Sequence, residues 1–173
     1  WTLIAEYFYE KLGKPQRILD SAGGMCEFIN AVPSPEKWTV DIVEAIKNAE
    51  MRTSGEVRIY IENKCRFMNP VHRAQEMFYK MGMQNTDAKN AVLVYVAIKD
   101  RQLAVFGDAG IHEKVGSAFW EAEVQKMLEA YKQSHYAEGL ANMITAIGEA
   151  LKQHFPYDAA TDKNELSDNI VFG

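Results

Sequence analysis

The sequence predicts an α/β protein: an α/β/α sandwich on a small mixed β-sheet flanked by helices on both faces. Three observations lead there. Segments with helical apolar spacing alternate with strand-like segments along the chain. One strand-like run, "NAVLVYVAI" from Asn90, is apolar almost throughout, as expected of a central strand covered on both faces. A helix-length segment separates the first two strands, whereas only "KDRQ" separates the last two. The first pair is therefore parallel through a right-handed crossover, and the second antiparallel.

The elements follow in order. Ser34 followed by Pro35 is a helix start, with Glu36 in the first turn, and Ile42, Ile46 and Ala49 share one face. "TSGE" ends that helix, and "EVRIYIE" alternates as a strand with Val57, Ile59 and Ile61 on one side. Asn69 and Pro70 are the N-cap and first position of a second helix, with Val71, Ala74, Phe78 and Met81 as its stripe and Gly82 at its end. After the central strand, "LAVFG" returns antiparallel. A long helix then carries Val115, Phe119, Val124, Met127 and Tyr131, and "SHYAEG" breaks it. The last helix carries Leu140, Met143, Ile144, Ile147 and Leu151 and stops before Pro156. The tail is polar and acidic until "NIVFG".

This divides the chain into an amino-terminal extension (residues 1–32), one domain (33–155) and a tail (156–173). At 47% hydrophobic residues, 173 residues suffice for one real core. The extension is either a native segment packing its aromatics on the domain or sequence preceding a natural start at Met25. Leu3, Ile4, Tyr7 and Phe8 follow one helical face, and Pro15 and Gly23-Gly24 set that piece apart as a linker would. Residues 1–24 are expected to form a helix docked on the sandwich or on a neighbouring chain, a self-association surface, without contributing to any cation site.

A net charge of −5 argues against nucleic-acid binding, which usually shows a basic face, and leaves room for a cation. Cys26 and Cys65 lack metal-ligand spacing and suit a reducing compartment. No apolar run approaches the ~18–20 residues of a membrane span, and no signal core is visible. The expectation is a soluble, cytoplasmic protein without a membrane span. The chain starts at Trp1 rather than Met, so a removed leader stays open.

The topology also locates a candidate site. The third strand runs backwards, so its end lies beside the beginnings of the first two. Three loops then meet: "TSGE", "NTDAKN" and "GDAG". They gather Glu56, Asp87, Asn90 and Asp108, hard oxygen donors suited to Ca²⁺ or Mg²⁺. Against this stand two plainer readings. Asp108 between Gly107 and Gly110 is also good turn chemistry, and Asp87 and Asn90 also suit loop caps. A rule favouring the carboxyl ends of parallel strands points to the opposite edge, with Glu62, Asn63, Asp100 and Arg101. Asp100-Arg101 reads most simply as a hairpin turn. His72, His112, His135 and His154 lack paired ligand spacing, and the Phe119-Trp120 pair reads as core. There is no nucleophile elbow, P-loop or dinucleotide fingerprint.

The segments "AEMRTSGEVRIYIE", "FYKMGMQNTDAKNAVLVYVAIKDRQLAVFGDAGI" and "VGSAFW" resemble the TPM domain family, which includes thylakoid lumen proteins linked to photosystem II repair and many bacterial proteins. The resemblance runs from Pro33 to Phe155, and "NELSDNIVFG" resembles the tail of the soluble bacterial branch. The family pattern falls on Thr53, Ser54, Gly55, Glu56, Thr86, Asn90, Asp100, Arg101, Gly107, Asp108, Gly110 and Ile111. Where many members have Arg-Asn-Gly, this chain has Lys89-Asn90-Ala91. The resemblance implies an α/β/α sandwich, divalent cation binding (usually discussed as calcium) and a weak acid phosphatase activity in the plant branch. Many relatives carry a membrane helix or signal peptide, and neither is seen in this sequence.

The leading expectation is a divalent-cation-binding interaction or regulatory module. The alternative is a weak metal-dependent acid phosphatase. In that reading Asp87 or Asp108 holds the metal, which polarises a phosphoryl oxygen, Glu56 serves as base and Lys89 neutralises phosphate.

Overall fold

Strand pairing, read first, fixes how the loops are arranged. A computed structural model describes residues 35–65, 69–98, 100, 102–133, 135–158 and 170–173. The described helices are α1 (Pro35–Glu50), α2 (Pro70–Lys80), α3 (Ala109–Lys132) and α4 (Tyr136–His154), with a 3₁₀ turn at Met83–Asn85. The described strands are β1 (Val57–Glu62), β2 (Val92–Ala97), β3 (Gln102–Gly107) and β4 (Val171–Phe172), in the order β3-β2-β1-β4. β1 and β2 are parallel and β3 is antiparallel to β2, as expected. The fourth strand was not anticipated. Val171 and Phe172 pair in parallel with Tyr60 and Ile61, and two residues are too few to show alternation.

Because side chains alternate across a strand, each strand feeds two cores. Val57, Ile59, Ile61, Val92, Val94, Val96, Leu103 and Val105 point to one, which α1, α3 and α4 close with Ile42, Ile46, Ile111, Trp120, Met127 and Ile144. Tyr60, Leu93, Tyr95, Ala104 and Phe106 point to the other, closed by Val71, Ala74, Met77 and Phe78 of α2. This explains why β2 is buried along its whole length. The expected apolar stripes are buried at Ile42, Ile46 and Ala49 in α1 and at Leu140, Met143, Ile144, Ile147 and Leu151 in α4. In α2, Asn69 accepts from the Val71 amide at 2.9 Å, and the chain turns out through Gly82 at φ 73°.

Two details differ from the sequence reading. The break before α4 is shorter than "SHYAEG": the helix resumes at Tyr136 and Gly139 is buried within it. A Cβ there would lie 2.6 Å from the Ala130 Cβ, so this glycine is a close-packing position against α3 rather than a breaker. The long helix α3 is also kinked. Gly116 has φ 71° and ψ 174°, a conformation essentially confined to glycine. No described helix is long and apolar enough to cross a membrane. The residues of the amino-terminal helix expectation, and Cys26, lie outside the described residues.

Candidate functional site

The register brings the three loops together. Val57 pairs with Val92 and Val92 with Gly107, so the start of β1, the start of β2 and the end of β3 share one edge. Backbone bonds lock them: the Val92 amide donates to the Glu56 carbonyl at 2.8 Å and the Asp108 amide to the Ala91 carbonyl at 2.9 Å.

The glycines around Asp108 are there for close approach. A Cβ on Gly110 would lie 2.3 Å from the Ala88 carbonyl oxygen and 2.7 Å from that of Lys89. A Cβ on Gly107 would lie 2.9 Å from the Trp120 ring. Only glycine lets the first turn of α3 sit against the 86–90 loop, where the Ile111 amide donates to the Lys89 carbonyl at 3.2 Å. Lys89 bends that loop with a left-handed φ of 53°.

Of the four expected ligands, three are buried at this edge: Glu56 (5% exposed), Asn90 (1%) and Asp108 (4%). Asp87 is exposed on the loop surface. Asn90 turns its amide nitrogen to Ser54, 3.1 Å from the carbonyl and 3.5 Å from the hydroxyl. Asp108 caps its own helix, Oδ1 accepting from the Ala109 amide at 2.7 Å. Its Oδ2 is buried and accepts no hydrogen bond. Thr86, 2% exposed, has a buried hydroxyl with no partner, and the buried Nδ1 of His112 has none either. Sequence reasoning placed Thr86 on the family pattern without naming it a ligand, and found no ligand spacing for His112. Among the described residues no three His, Cys, Asp or Glu side chains form a metal-holding group. A cation here would need amide, hydroxyl and backbone oxygens beside the carboxylates.

The opposite edge is built differently. The Arg73 guanidinium donates twice to Glu62, from Nε to Oε1 and from Nη2 to Oε2, both at 2.9 Å. The Tyr95 hydroxyl donates to Glu62 Oε1 at 2.6 Å. Arg73 also reaches Glu76 at 2.9 Å and lies 6.0 Å from the centre of the Tyr60 ring. Asp100 accepts from the Cys65 amide at 2.7 Å, which holds the hairpin turn to the end of β1. Burial pushes the pKa of the Tyr95 phenol well above the usual tyrosine range, and burial likewise pushes up that of the Cys65 thiol. The hydrogen bonds to Glu62 hold Arg73 firmly protonated. Asn63 is exposed, and Arg101 lies outside the described residues. Tyr95 and Arg73 were the members the sequence reading missed. A phenol inside a continuously apolar strand was the available signal, since a buried hydroxyl needs a partner.

Comparison with known proteins agrees with this architecture. The family model for the TPM domain matches residues 35–150. The BA42 protein from the psychrophilic bacterium Bizionia argentinensis, solved by NMR, is 34% identical, with 79% of this chain and 93% of that chain covered and a TM-score of 0.72. The N-terminal domain of the cg2496 protein from Corynebacterium glutamicum is 12% identical, with 89% and 90% covered and a TM-score of 0.46. Comparison with curated proteins gives no match.

Proposed function

The chain belongs to the TPM domain family, and on that premise we propose that the three-loop edge of its sheet binds a divalent cation, Ca²⁺ or in competition Mg²⁺. The domain then acts as an interaction or regulatory module whose loops the cation orders. The observation that carries this is Asp108. Its Oδ2 is out of water yet accepts no hydrogen bond. Burying a carboxylate oxygen in that way is costly, and a cation would offset the cost. Thr86 Oγ1, buried and likewise without a partner, adds a neutral donor. Glu56, Asn90 and loop carbonyls complete the mixed oxygen set that Ca²⁺ favours with its 6–8 flexible ligands. Asp87, outside the buried set, supplies negative charge from the loop surface.

The hydrolase reading gains no support from the described residues. Lys89, its phosphate-neutralising group, donates to the Gln84 carbonyl. Glu56, its base, is buried beneath the loops.

Calorimetric and NMR titration with Ca²⁺ and Mg²⁺ tests the proposal. Saturation at a hundredfold excess over Kd raises the unfolding free energy by about 2.7 kcal/mol. Asp108→Asn keeps the helix cap but removes the charge, and weakens binding on the order of tenfold or more while the fold persists. A folded protein that takes up neither ion at millimolar concentration refutes the site. Full affinity in Asp108→Asn moves it elsewhere.

A further inference from the structure

The side of β1 turned away from β2 is a row of backbone groups. The Val92 and Ile98 amides donate to the carbonyls of Glu56 and Glu62, so those two residues face β2. Successive residues of a strand turn their peptide groups to alternate sides, so Val57, Ile59 and Ile61 face the outer side. β4 meets one end of this row: Val171 and Phe172 stand opposite Tyr60 and Ile61, and the Gly173 amide donates to the Ile61 carbonyl at 3.0 Å. At the other end, Glu50 Oε1 accepts from the Val57 amide at 3.1 Å and closes the row. The Val57 carbonyl and the Ile59 amide lie between, beyond the two pairs that β4 makes. Phe172 is 63% exposed and Val171 only half-buried, so β4 holds its place with little apolar burial.

Arg58 stands beside this stretch. By strand alternation it lies on the same face as Tyr60, the face on which α2 packs over β2 and β3. Its side chain is half-buried, and its Nε is closed to water without an acceptor. No carboxylate among the described residues forms an ion pair with it. Arg73, on the same side of the sheet, is by contrast held by both Glu62 and Glu76. A guanidinium left in the state of Arg58 is uncompensated, and a carboxylate is the group that fits its planar fork.

We propose that the outer side of β1 docks an extended peptide of another protein, added in parallel where β4 sits and running past it, with an acidic residue opposite Arg58. Strand addition draws affinity from the main chain and specificity from alternate side chains. In the β4 register Val171 faces Tyr60, so the peptide residue facing Arg58 lies two before the one in the place of Val171. The recognised pattern is therefore an acidic residue, any residue, then a β-branched apolar one. At that spacing this chain's own sequence has Asn169, which carries no charge for Arg58 to take. A second copy of the chain lacks the charge equally, which is why the occupant is a foreign peptide. β4 is then a resident strand that the peptide displaces.

The test is an NMR titration of the full chain, without added Ca²⁺, with two acetylated peptides: Glu-Ile-Val-Phe-Gly and Gln-Ile-Val-Phe-Gly. Both shift the Ile59 and Ile61 amides and speed hydrogen exchange at the Gly173 amide, and the glutamate peptide binds roughly fivefold more tightly. In Arg58→Met the two peptides bind alike. Val171→Asp, which loosens the tethered resident strand, tightens the binding of both. If neither peptide moves Ile59 at millimolar concentration, in wild type or in Val171→Asp, the edge is not a docking site and the proposal falls. Equal binding of the two peptides by wild type takes away the role of Arg58 and overturns it as well. So do Ile59 shifts that appear on concentrating the chain alone as its sedimenting mass rises to that of a dimer, because the occupant is then a second copy.

Discussion

Replacing Gly110 by alanine places a methyl group where two backbone carbonyls already sit. The new Cβ would stand 2.3 Å from the Ala88 oxygen and 2.7 Å from the Lys89 oxygen. That is roughly 1 Å inside ordinary contact. Neither obstacle is a side chain that can rotate away, so the 86–90 loop must retreat from α3. The retreat breaks the Ile111–Lys89 bond (3.2 Å) and strains the Asp108–Ala91 bond (2.9 Å). Overpacking costs about 1–3 kcal/mol and the lost bond about 1 kcal/mol, against up to about 1 kcal/mol gained in helix propensity. The net loss is about 2 kcal/mol, or roughly 4–8 °C in the unfolding midpoint. Calorimetric melting with and without Ca²⁺ measures both consequences. The midpoint falls, and the rise induced by Ca²⁺ shrinks because the loop carrying Asn90 no longer sits against Asp108. A midpoint equal to or above that of wild type would show that the glycine is not there for close approach.

Three further outcomes follow from the same geometry. Arg73→Met removes the bidentate partner of the buried Glu62 carboxylate and lowers stability by about 3–5 kcal/mol in urea unfolding; Glu62→Gln with Arg73→Met recovers part of it. Tyr95 is held neutral by burial, so its raised pKa supplies stability that is intact below the unfolded tyrosine value of about 10 and is lost as pH climbs above it. Stability measured from pH 8 to pH 11 therefore falls less steeply in Tyr95→Phe than in wild type. Gly116→Ala meets no atom within 4 Å, so its cost is conformational, about 1–3 kcal/mol; a midpoint unchanged from wild type would mean that the kink is not fixed by this residue.

How much of this was legible in the sequence depended on the kind of signal each element carried. The parallel β1–β2 pair, the antiparallel β3 and the stripes of α1, α2 and α4 are set by periodicity and connection length, which a sequence displays directly. β4 is a two-residue partner found only through its register with Tyr60 and Ile61. The Gly116 kink and the buried Gly139 were hidden for a related reason. Glycine reads the same whether it breaks a helix, bends it or lets a neighbour approach, and only the facing element decides. At the candidate site, topology sufficed to bring Glu56, Asn90 and Asp108 to one edge. It did not distinguish the exposed Asp87 from the buried three, nor show that Thr86 carries an unmatched hydroxyl.

The contrast between the two ends of the sheet is why the proposed site is placed at the three-loop edge. At the carboxyl ends of β1 and β2, Glu62 accepts at both oxygens, and its charge is balanced within the fold by Arg73. A cation placed there would compete with a guanidinium already held in bidentate contact, and would have to displace it at the cost of breaking a buried pair. At the amino ends, by contrast, Asp108 engages one oxygen in capping α3 and leaves the other unmatched in a region closed to water. The loops are held to one another through main-chain bonds and glycine contacts, so the scaffold does not rely on the Asp108 side chain beyond that cap. A carboxylate that the fold buries without needing its second oxygen is the group a cation can engage without unmaking anything else. For that reason the Asp108 edge, rather than the usual carboxyl end of the parallel strands, is the place to look for binding.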